Sequence, residues 1–204
     1  MKDLVVLCPD IRWEAVLHAA LLRYRSFGLS RRISFDVVRV PGRTDAFVCQ
    51  EGPRFLEIER NKYKHGLLIF DHDGCGDERT ASDLEAELSG SLSTTWGKNA
   101  GVIIVEPELE SWLVGAHAHF GVVSGLSSVD VIKWMRDRGY WLPGDSKPAD
   151  PKGAIEALFA HHQSRPSSAN YRKIASLASL SSENCSCDSF KRFSRRIKDW
   201  FART

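Results

Sequence analysis

The stretch that decides the fold is "LLIFDHDGCGDE", residues 67–78. Four apolar residues are followed at once by Asp71, His72 and Asp73. A short apolar run without polar alternation is typical of a strand that is buried on both faces, as in a parallel sheet covered by helices. The abrupt change to carboxylates indicates that this strand ends at a polar edge of the sheet.

Three other runs predict strands of the same kind. In chain order the four predicted strands are 4–7, 32–40, 65–73 and 101–105. Apolar residues at helical spacing lie between them, and continuous apolar strands that alternate with helices favour a parallel α/β arrangement. The predicted fold class is therefore α/β, with a Rossmann-like, mostly parallel sheet flanked by helices.

The predicted helices follow the strands directly. Residues 11–28 form the first, with Gly28 as its stop signal, and residues 77–92 place Leu84 and Leu88 one turn apart. Residues 106–121, "EPELESWLVGAHAHFG", predict a helix with Pro107 in its first turn. The segment 52–61, "GPRFLEIERN", is either a helix or an irregular connection.

The chain divides into two parts by pattern. Residues 1–138 carry the alternating strands and helices, and we expect them to form the α/β core. Residues 139–153 are rich in Pro, Gly and charge, which predicts an exposed loop, and a helix begins at Asp150-Pro151. We predict that 139–204 is this loop plus a helical C-terminal cap packed on the same domain.

Composition excludes several classes of protein. The 204 residues are 43% hydrophobic with a net charge of +2, so the whole protein is not a polyelectrolyte binder. Five Cys at irregular spacings include no Cys-x-x-Cys pair, which favours free thiols in a reducing cytoplasm. The N-terminal apolar run is too short for a signal peptide or a membrane span, so we expect a cytoplasmic protein without a membrane partner.

Carboxylates follow three of the four predicted strands. Asp71 and Asp73 end the third strand, and residues two apart in a strand share a face. Asp10 ends the first strand, with Glu14 one helical turn later. The acids after the fourth strand are Glu106, Glu108 and Glu110. Because ligands of open α/β sheets bind beyond the carboxyl ends of the strands, we expect one acidic cluster that suits Mg²⁺ or Mn²⁺.

Each of these acids also has a simpler explanation. Asp and Gly are common in turns, so "DHDG" alone is a weak motif. Acids in the first turn of a helix are favoured by its macrodipole, each by ~0.3–1 kcal/mol, which explains Glu14 and part of the group at 106–110. The recurrence of acids at three strand ends is what favours a metal site.

The basic segment "FKRFSRRIK", residues 190–198, is a second candidate site. Its basic residues are Lys191, Arg192, Arg195 and Arg196. Basic side chains bind the phosphates of a nucleic acid, and aromatic ones stack on its bases. The helical spacing of Phe190 and Phe193 is better explained by core packing, and the basic face of a helix is often only solvated. Both explanations of the basic residues stay open.

The ordered set "DIRWE", "DHDG" and "EPELESW" resembles the motifs of TOPRIM domains. More narrowly, the chain resembles small TOPRIM-like proteins of prokaryotic defence islands, of the DUF4276 and RloB-like type. These are relatives of the nuclease half of OLD-family proteins. The similarity extends to "DPKGAIEALF" and covers most of the chain.

This resemblance implies a TOPRIM-like fold and a Mg²⁺-dependent (or Mn²⁺-dependent) nuclease-type subunit that cleaves phosphodiesters in antiviral defence. The implied metal ligands are Asp71, Asp73, Glu106, Glu108 and Glu110. The implied catalytic residues are Asp10, Glu14 and Lys152, with the lysine neutralising charge at the phosphate. The implied partners are nucleic acid, DNA rather than RNA, and other defence proteins such as an ATPase, since the chain has no Walker A pattern of its own.

The first motif departs from the family pattern. Where the family has Glu-Gly, this chain has Asp10-Ile11, preceded by Pro9. Isoleucine cannot follow a turn that only glycine adopts. The departure favours an alternative in which the chain is a non-catalytic nucleic-acid-binding or protein-interaction subunit of a defence complex. An enzyme that transfers phosphate on small molecules with the same acids is a further alternative.

Overall fold

The protein is built around one parallel β-sheet. The computed structural model describes residues 1–114, 120–124, 128–145, 147–177 and 187–202. The strands are β1 (Lys2–Cys8), β2 (Phe35–Arg39), β3 (Tyr63–Asp71) and β4 (Ala100–Val105). Their order in the sheet is β2-β1-β3-β4, and each neighbouring pair is parallel. The predicted α/β fold is confirmed.

Helices cover both faces of the sheet. They are α1 (Ile11–Leu22), α2 (Asp45–Glu59), α3 (Ala81–Trp96), α4 (Glu110–Val114), α5 (Gly121–Ser124), α6 (Ser128–Asp137), α7 (Pro151–His161), α8 (Ser168–Leu177) and α9 (Asp188–Phe201). Asp150 caps α7 by accepting the N–H of Gly153 (2.7 Å), and Pro151 follows at its first position, as predicted. No helix in the described part of the chain is long and apolar enough to cross a membrane.

Side chains alternate along the strands between two hydrophobic layers. One layer contains Leu4, Val6, Leu67 and Ile69 together with residues of α1, α4, α7, α8 and α9. The other contains Val5, Leu7, Leu68 and Phe70 together with residues of α2 and α3. Because helices cover both faces, every strand position from 66 to 70 is buried, which explains the continuous apolar run in the sequence.

The aromatic residues of α9 belong to the first layer. Phe190 and Phe193 are fully buried and lie 5.0 and 5.2 Å from Trp112, measured between ring centroids. The indole N–H of Trp112 donates to the Oγ of Ser189 (2.9 Å), also on α9. The packing explanation of these aromatic residues is therefore confirmed.

Several predicted boundaries are wrong, and two of them lie at the acidic edge. β3 ends at Asp71 instead of residue 73, and Gly74 follows shortly after in a left-handed conformation, with φ of +93°. The helix predicted from 106 begins only at Glu110, so Pro107 lies in the connection before it. For the segment 52–61, the helix alternative is confirmed up to Glu59, as part of α2, which starts earlier, at Asp45. His117 and His119, in the predicted continuation of α4, lie outside the described residues.

Candidate functional site

Asp71 lies at the centre of the acidic edge, as the last residue of β3. It is paired in register with Val105, the last residue of β4. The residue as a whole is half-buried, but its Oδ1 atom is closed off from solvent and has no hydrogen-bond partner among the described residues. A buried carboxylate oxygen without a donor is unfavourable in the ionised form.

The pKa of Asp71 is raised well above its ordinary value. Burial is the largest cause, and the negative charges of Asp45, Glu110 and Glu108 add to it in that order. The indole N–H of Trp13 opposes the rise in part, although it does not reach hydrogen-bonding geometry. Acids from β3, α2 and the β4–α4 connection therefore share one electrostatic environment.

Asp45 is the member of this cluster that the sequence analysis missed. It is the first residue of α2, after the cap Thr44, and its Oδ1 accepts the backbone N–H of Asp71 (2.8 Å). Burial raises the pKa of Asp45 to about 6, a rise to which Asp10 contributes and which the hydrogen bond from Asp71 opposes. The sequence feature that could have indicated Asp45 is Thr44-Asp45, a typical helix start that follows shortly after the end of β2.

The two acids of the first motif lie beside the cluster with structural partners of their own. Asp10 caps α1: its Oδ1 accepts the backbone N–H groups of Arg12 and Trp13, both at 2.9 Å. Glu14 forms an ion pair with Arg39 at the end of β2 (2.8 Å from Nε to Oε2). Asp10 still acts on the cluster through its charge, as the pKa of Asp45 indicates.

Glu110 is the most buried acid of the site, with 3% of its surface exposed. Its Oε1 accepts the hydroxyl of Tyr171 on α8 (2.5 Å) and lies 3.6 Å from Nη1 of Arg12. Burial, and then the charge of Glu110, raise the pKa of the tyrosine. Glu110 is therefore held in place by two other elements of the first hydrophobic layer.

Glu108 and Lys152 form the boundary between the acids and α7. The Oε1 of Glu108 accepts the backbone N–H of Lys152 (3.1 Å), and Oε2 lies 3.7 Å from its Nζ. Burial and the charge of Glu110 raise the pKa of Glu108, against the effect of Lys152. The charge of Lys152 also opposes the rise in the pKa of Asp45, so this lysine acts on both Glu108 and Asp45.

Asp73 and Glu106 lie on the exposed rim. The backbone N–H of Asp73 donates to the carbonyl of Pro107 (3.1 Å), and the carbonyl of Glu106 accepts the Nζ of Lys147 (3.1 Å). Asp71 and Asp73 therefore differ in burial, since the strand does not continue to the second acid. The Nε2 of His72 lies within hydrogen-bonding distance of the carbonyl oxygen of Arg79 (2.8 Å).

The four basic residues of α9 have different surroundings. Arg192 pairs with Glu85 (2.8 Å) and donates to the carbonyl of Ile104 (2.9 Å), while Glu85 accepts the N–H of Ile104 (2.7 Å). Arg192 and Glu85 thus form hydrogen bonds with the outward-facing C=O and N–H groups of Ile104 in the edge strand β4. Lys191 forms an ion pair with Asp188, and the guanidinium of Arg196 lies over the ring of Trp200. Arg195 is exposed. Nucleic-acid binding by the four stays a prediction.

The donor groups at the acidic edge fit a hard divalent ion. Within the described ranges, no three Asp, Glu, His or Cys side chains form a group that could hold a metal as they stand. Mg²⁺, however, keeps several waters and takes only one or two protein carboxylates. The unpartnered Oδ1 of Asp71, with Asp45 beside it, supplies that kind of donor set.

Fold and site together define an α/β protein whose parallel sheet carries a half-buried acidic cluster at its carboxyl edge. The sequence matches no protein-family model and no curated protein. The structure is similar to that of the C-terminal region of the Burkholderia pseudomallei OLD protein, with a TM-score of 0.54 and 13% sequence identity. The match covers 99% of this chain and 100% of that one, so the two share a fold over their full described lengths.

Proposed function

We propose that this chain is a metal-dependent, nuclease-type subunit that cleaves phosphodiesters in an OLD-related antiviral defence system. The observation that carries the proposal is the buried, unpartnered Oδ1 of Asp71 among three further acids. The fold similarity to the OLD protein region supports the assignment to this kind of system. Its partners would be DNA and other defence proteins, including an ATPase.

A divalent cation explains why so many acids are kept together. Carboxylates that are buried side by side raise one another's pKa, and an opposite charge relieves that repulsion. The side chains of Arg12 and Lys152 reach Glu110 and Glu108, whereas the Oδ1 of Asp71 has no partner in the described structure. In this proposal the cation supplies its positive charge next to Asp71.

In this proposal each residue has a definite role. Asp71 and Asp45 hold Mg²⁺ or Mn²⁺, with Glu108 and Glu110 completing the negative field. A bound ion supplies Lewis-acid activation of the phosphodiester and of the attacking water. Lys152, which is 48% exposed at the rim, neutralises charge that develops on the phosphate. Asp73 and Glu106, which are both exposed, would contact a second ion or the waters around the first.

A non-catalytic subunit is the second candidate, and a specific observation favours it. Asp10 serves as a helix cap and Glu14 is paired with Arg39, so neither first-motif acid is free to move a proton as the structure stands. In that case the same fold would bind nucleic acid or a partner protein without cleaving.

A cleavage assay separates the two candidates. We expect the purified chain to cleave plasmid DNA in Mn²⁺ and Asp71→Asn to be inactive. Glu57→Gln, an exposed acid near the far end of α2, is the matched control and should keep full activity. Binding of Mn²⁺ without any cleavage of DNA or RNA would select the non-catalytic candidate, and absence of Mn²⁺ binding would refute the metal site itself.

A further inference from the structure

β2 is an edge strand, because β1 is its single neighbour among the described strands. Its even-numbered residues bond to β1: the carbonyl of Ser34 accepts the N–H of Leu4 (3.1 Å), and the N–H of Val40 donates to the carbonyl of Cys8 (3.0 Å). Since backbone groups alternate in direction along a paired strand, those of the odd-numbered residues point away from the sheet. These residues are Phe35, Val37 and Arg39.

The outward backbone groups of β2 are open, unlike those of the other edge strand. Within the described ranges, no hydrogen bond reaches the N–H or C=O of Val37 or Arg39 from outside the sheet. At β4, by contrast, Glu85 and Arg192 bind the outward N–H and C=O of Ile104 (2.7 and 2.9 Å). An edge that is not blocked in this way is a template for pairing with another extended chain.

A cleft of about 370 Å³ runs along the C-terminal half of β2 and gives an added strand room. Its lining includes the consecutive residues 37–41, among which Val38 is 41% exposed. Glu14 of α1 and Arg43, which follows the strand, complete it. The cleft therefore combines a backbone edge with an apolar side chain that a partner could cover.

The charge beside this edge is positive. Glu14 is neutralised by Arg39, whose Nε lies 2.8 Å from its Oε2. Arg43 is exposed, and its guanidinium forms no ion pair or hydrogen bond within the part of the chain that the structure describes. The same holds for the side chain of Arg32, shortly before β2. A cation without a partner thus flanks the strand on each side.

The backbone around Arg43 is held in an unusual conformation. Its φ of +53° lies in the left-handed region, which residues with a side chain rarely adopt. The N–H of Arg43 donates to the carbonyl of Val40 (3.1 Å), and the ring of Phe47 lies so close to Gly42 that a Cβ there would not fit. Conformations of this kind persist where the surrounding structure holds them, and they cluster at binding sites.

We propose that the open edge of β2 binds an extended, acidic segment of a partner protein by strand addition. The backbone of the segment pairs with Val37 and Arg39, an apolar side chain covers Val38, and a carboxylate meets Arg43. Charge disfavours a second copy of this chain, since antiparallel pairing of two β2 strands about Val37 brings Arg43 of each copy toward Arg32 of the other. The site needs no metal and does not depend on the proposed nuclease activity.

Titration of fluorescent peptides in EDTA tests the site apart from metal at the acidic edge. The probe is a short blocked peptide of alternating Val and Thr with an Asp at each end, and we expect it to bind the wild type. The same peptide with a Lys at each end should bind about tenfold more weakly. A version of the Asp peptide with N-methylated amides on its pairing edge should not bind, because it cannot donate to the strand.

Three results with these peptides would overturn the proposal. If the Asp peptide does not bind, the site does not exist. Equal binding of the Asp and Lys peptides would refute the acidic partner. Undiminished binding of the methylated peptide would refute strand addition.

Variants of the edge test the same two elements from the side of the protein. Arg43→Glu should reverse the preference, so that the Lys peptide binds more tightly than the Asp peptide. Arg54→Glu, at an exposed arginine of α2 outside the cleft, changes the net charge equally and should behave as the wild type. An unchanged preference in Arg43→Glu, or the same reversal in Arg54→Glu, would contradict the proposal.

Val37→Pro removes an outward N–H but no hydrogen bond to β1, so it should abolish peptide binding with little change in melting temperature. If this variant does not fold, the methylated peptide decides the same point on the wild type. Sedimentation that shows dimers of the wild type but not of Val37→Pro would assign the edge to a second copy. Displacement of the Asp peptide by a single-stranded oligonucleotide would assign it to nucleic acid. Either assignment would overturn the proposal.

Discussion

The side chain of Asp45 accepts the backbone N–H of Asp71 across 2.8 Å. This contact fixes the start of α2 to the end of β3 and brings together an acid at a helix start and an acid at a strand end. The hydrogen bond favours the ionised form of Asp45, yet burial outweighs it and raises the pKa of that carboxyl to about 6. The fold therefore holds these acids close together although their negative charges repel one another.

Replacing Asp45 by Asn should change how stability depends on pH. In the metal-free protein the folded-state pKa of Asp45, about 6, lies above the ordinary 3.8, so the folded state holds the proton longer than the unfolded state. The free energy of unfolding therefore falls as pH rises through this window, by at most about 3 kcal/mol. Asp45→Asn keeps an oxygen that can accept the N–H of Asp71 but has no carboxyl to titrate. Its free energy of unfolding should therefore fall less than that of the wild type as the pH rises.

Urea unfolding in EDTA from about pH 4 to about pH 7 measures this difference. Asp71 adds a fall of the same sign in both proteins, and this fall is smaller in Asp45→Asn because the charge of Asp45 helps to raise the pKa of Asp71. The comparison therefore reports Asp45 together with its effect on Asp71. Glu57→Gln, at the other end of α2, should follow the wild type. A pH profile of Asp45→Asn identical to that of the wild type would contradict the shared environment of the two acids.

Removing the hydroxyl of Tyr171 should destabilise the protein. Tyr171→Phe fills the same space but, among the described residues, leaves the buried carboxylate of Glu110 with the more distant Arg12 as its partner. Hydrogen bonds to charged groups contribute about 1.5–3 kcal/mol, and we expect a loss of that size in denaturant unfolding. Tyr24→Phe is the control: the Tyr24 hydroxyl accepts a hydrogen bond from the exposed Arg25, and its loss should change stability by less than about 0.5 kcal/mol.

The charge of Lys152 should matter for activity more than for stability. Lys152→Met removes an ion pair that is half-exposed, so the free energy of unfolding should change by less than about 1 kcal/mol. If Lys152 stabilises the phosphate in the transition state, the cleavage rate should fall about 100-fold. Lys62→Met, at a surface ion pair with Glu59, is the control. Unchanged cleavage by Lys152→Met would remove the lysine from the site.

The basic residues of α9 should separate into structural and binding groups. Arg192→Met breaks contacts with Glu85 and the edge of β4, so we expect a loss of about 1–3 kcal/mol in stability. Arg195 is exposed on the same helix, and Arg195→Met should leave stability unchanged. If α9 binds nucleic acid, a filter-binding assay should show weaker binding for Arg195→Met. Equal stability of the two variants would contradict the structural role of Arg192.

The sequence predicted the sheet and much of its acidic edge because both follow from local pattern. Continuous apolar strands imply a covered parallel sheet, and parallel strands bring their carboxyl ends, with Asp71 and Glu108, to one side. Asp45 could not be found in this way, since its approach to Asp71 depends on how α2 packs against the sheet. The partners of Glu14 and Arg192 are likewise set by tertiary contacts between distant segments.

The most direct test of the metal site is the melting temperature of the wild type and of Asp71→Asn during a Mn²⁺ titration. A ligand that binds only the folded state stabilises it by about 2.7 kcal/mol at a hundred times its dissociation constant. We predict a concentration-dependent rise for the wild type and none for Asp71→Asn. A wild type that does not respond, or a variant that responds equally, would contradict a divalent ion at Asp71.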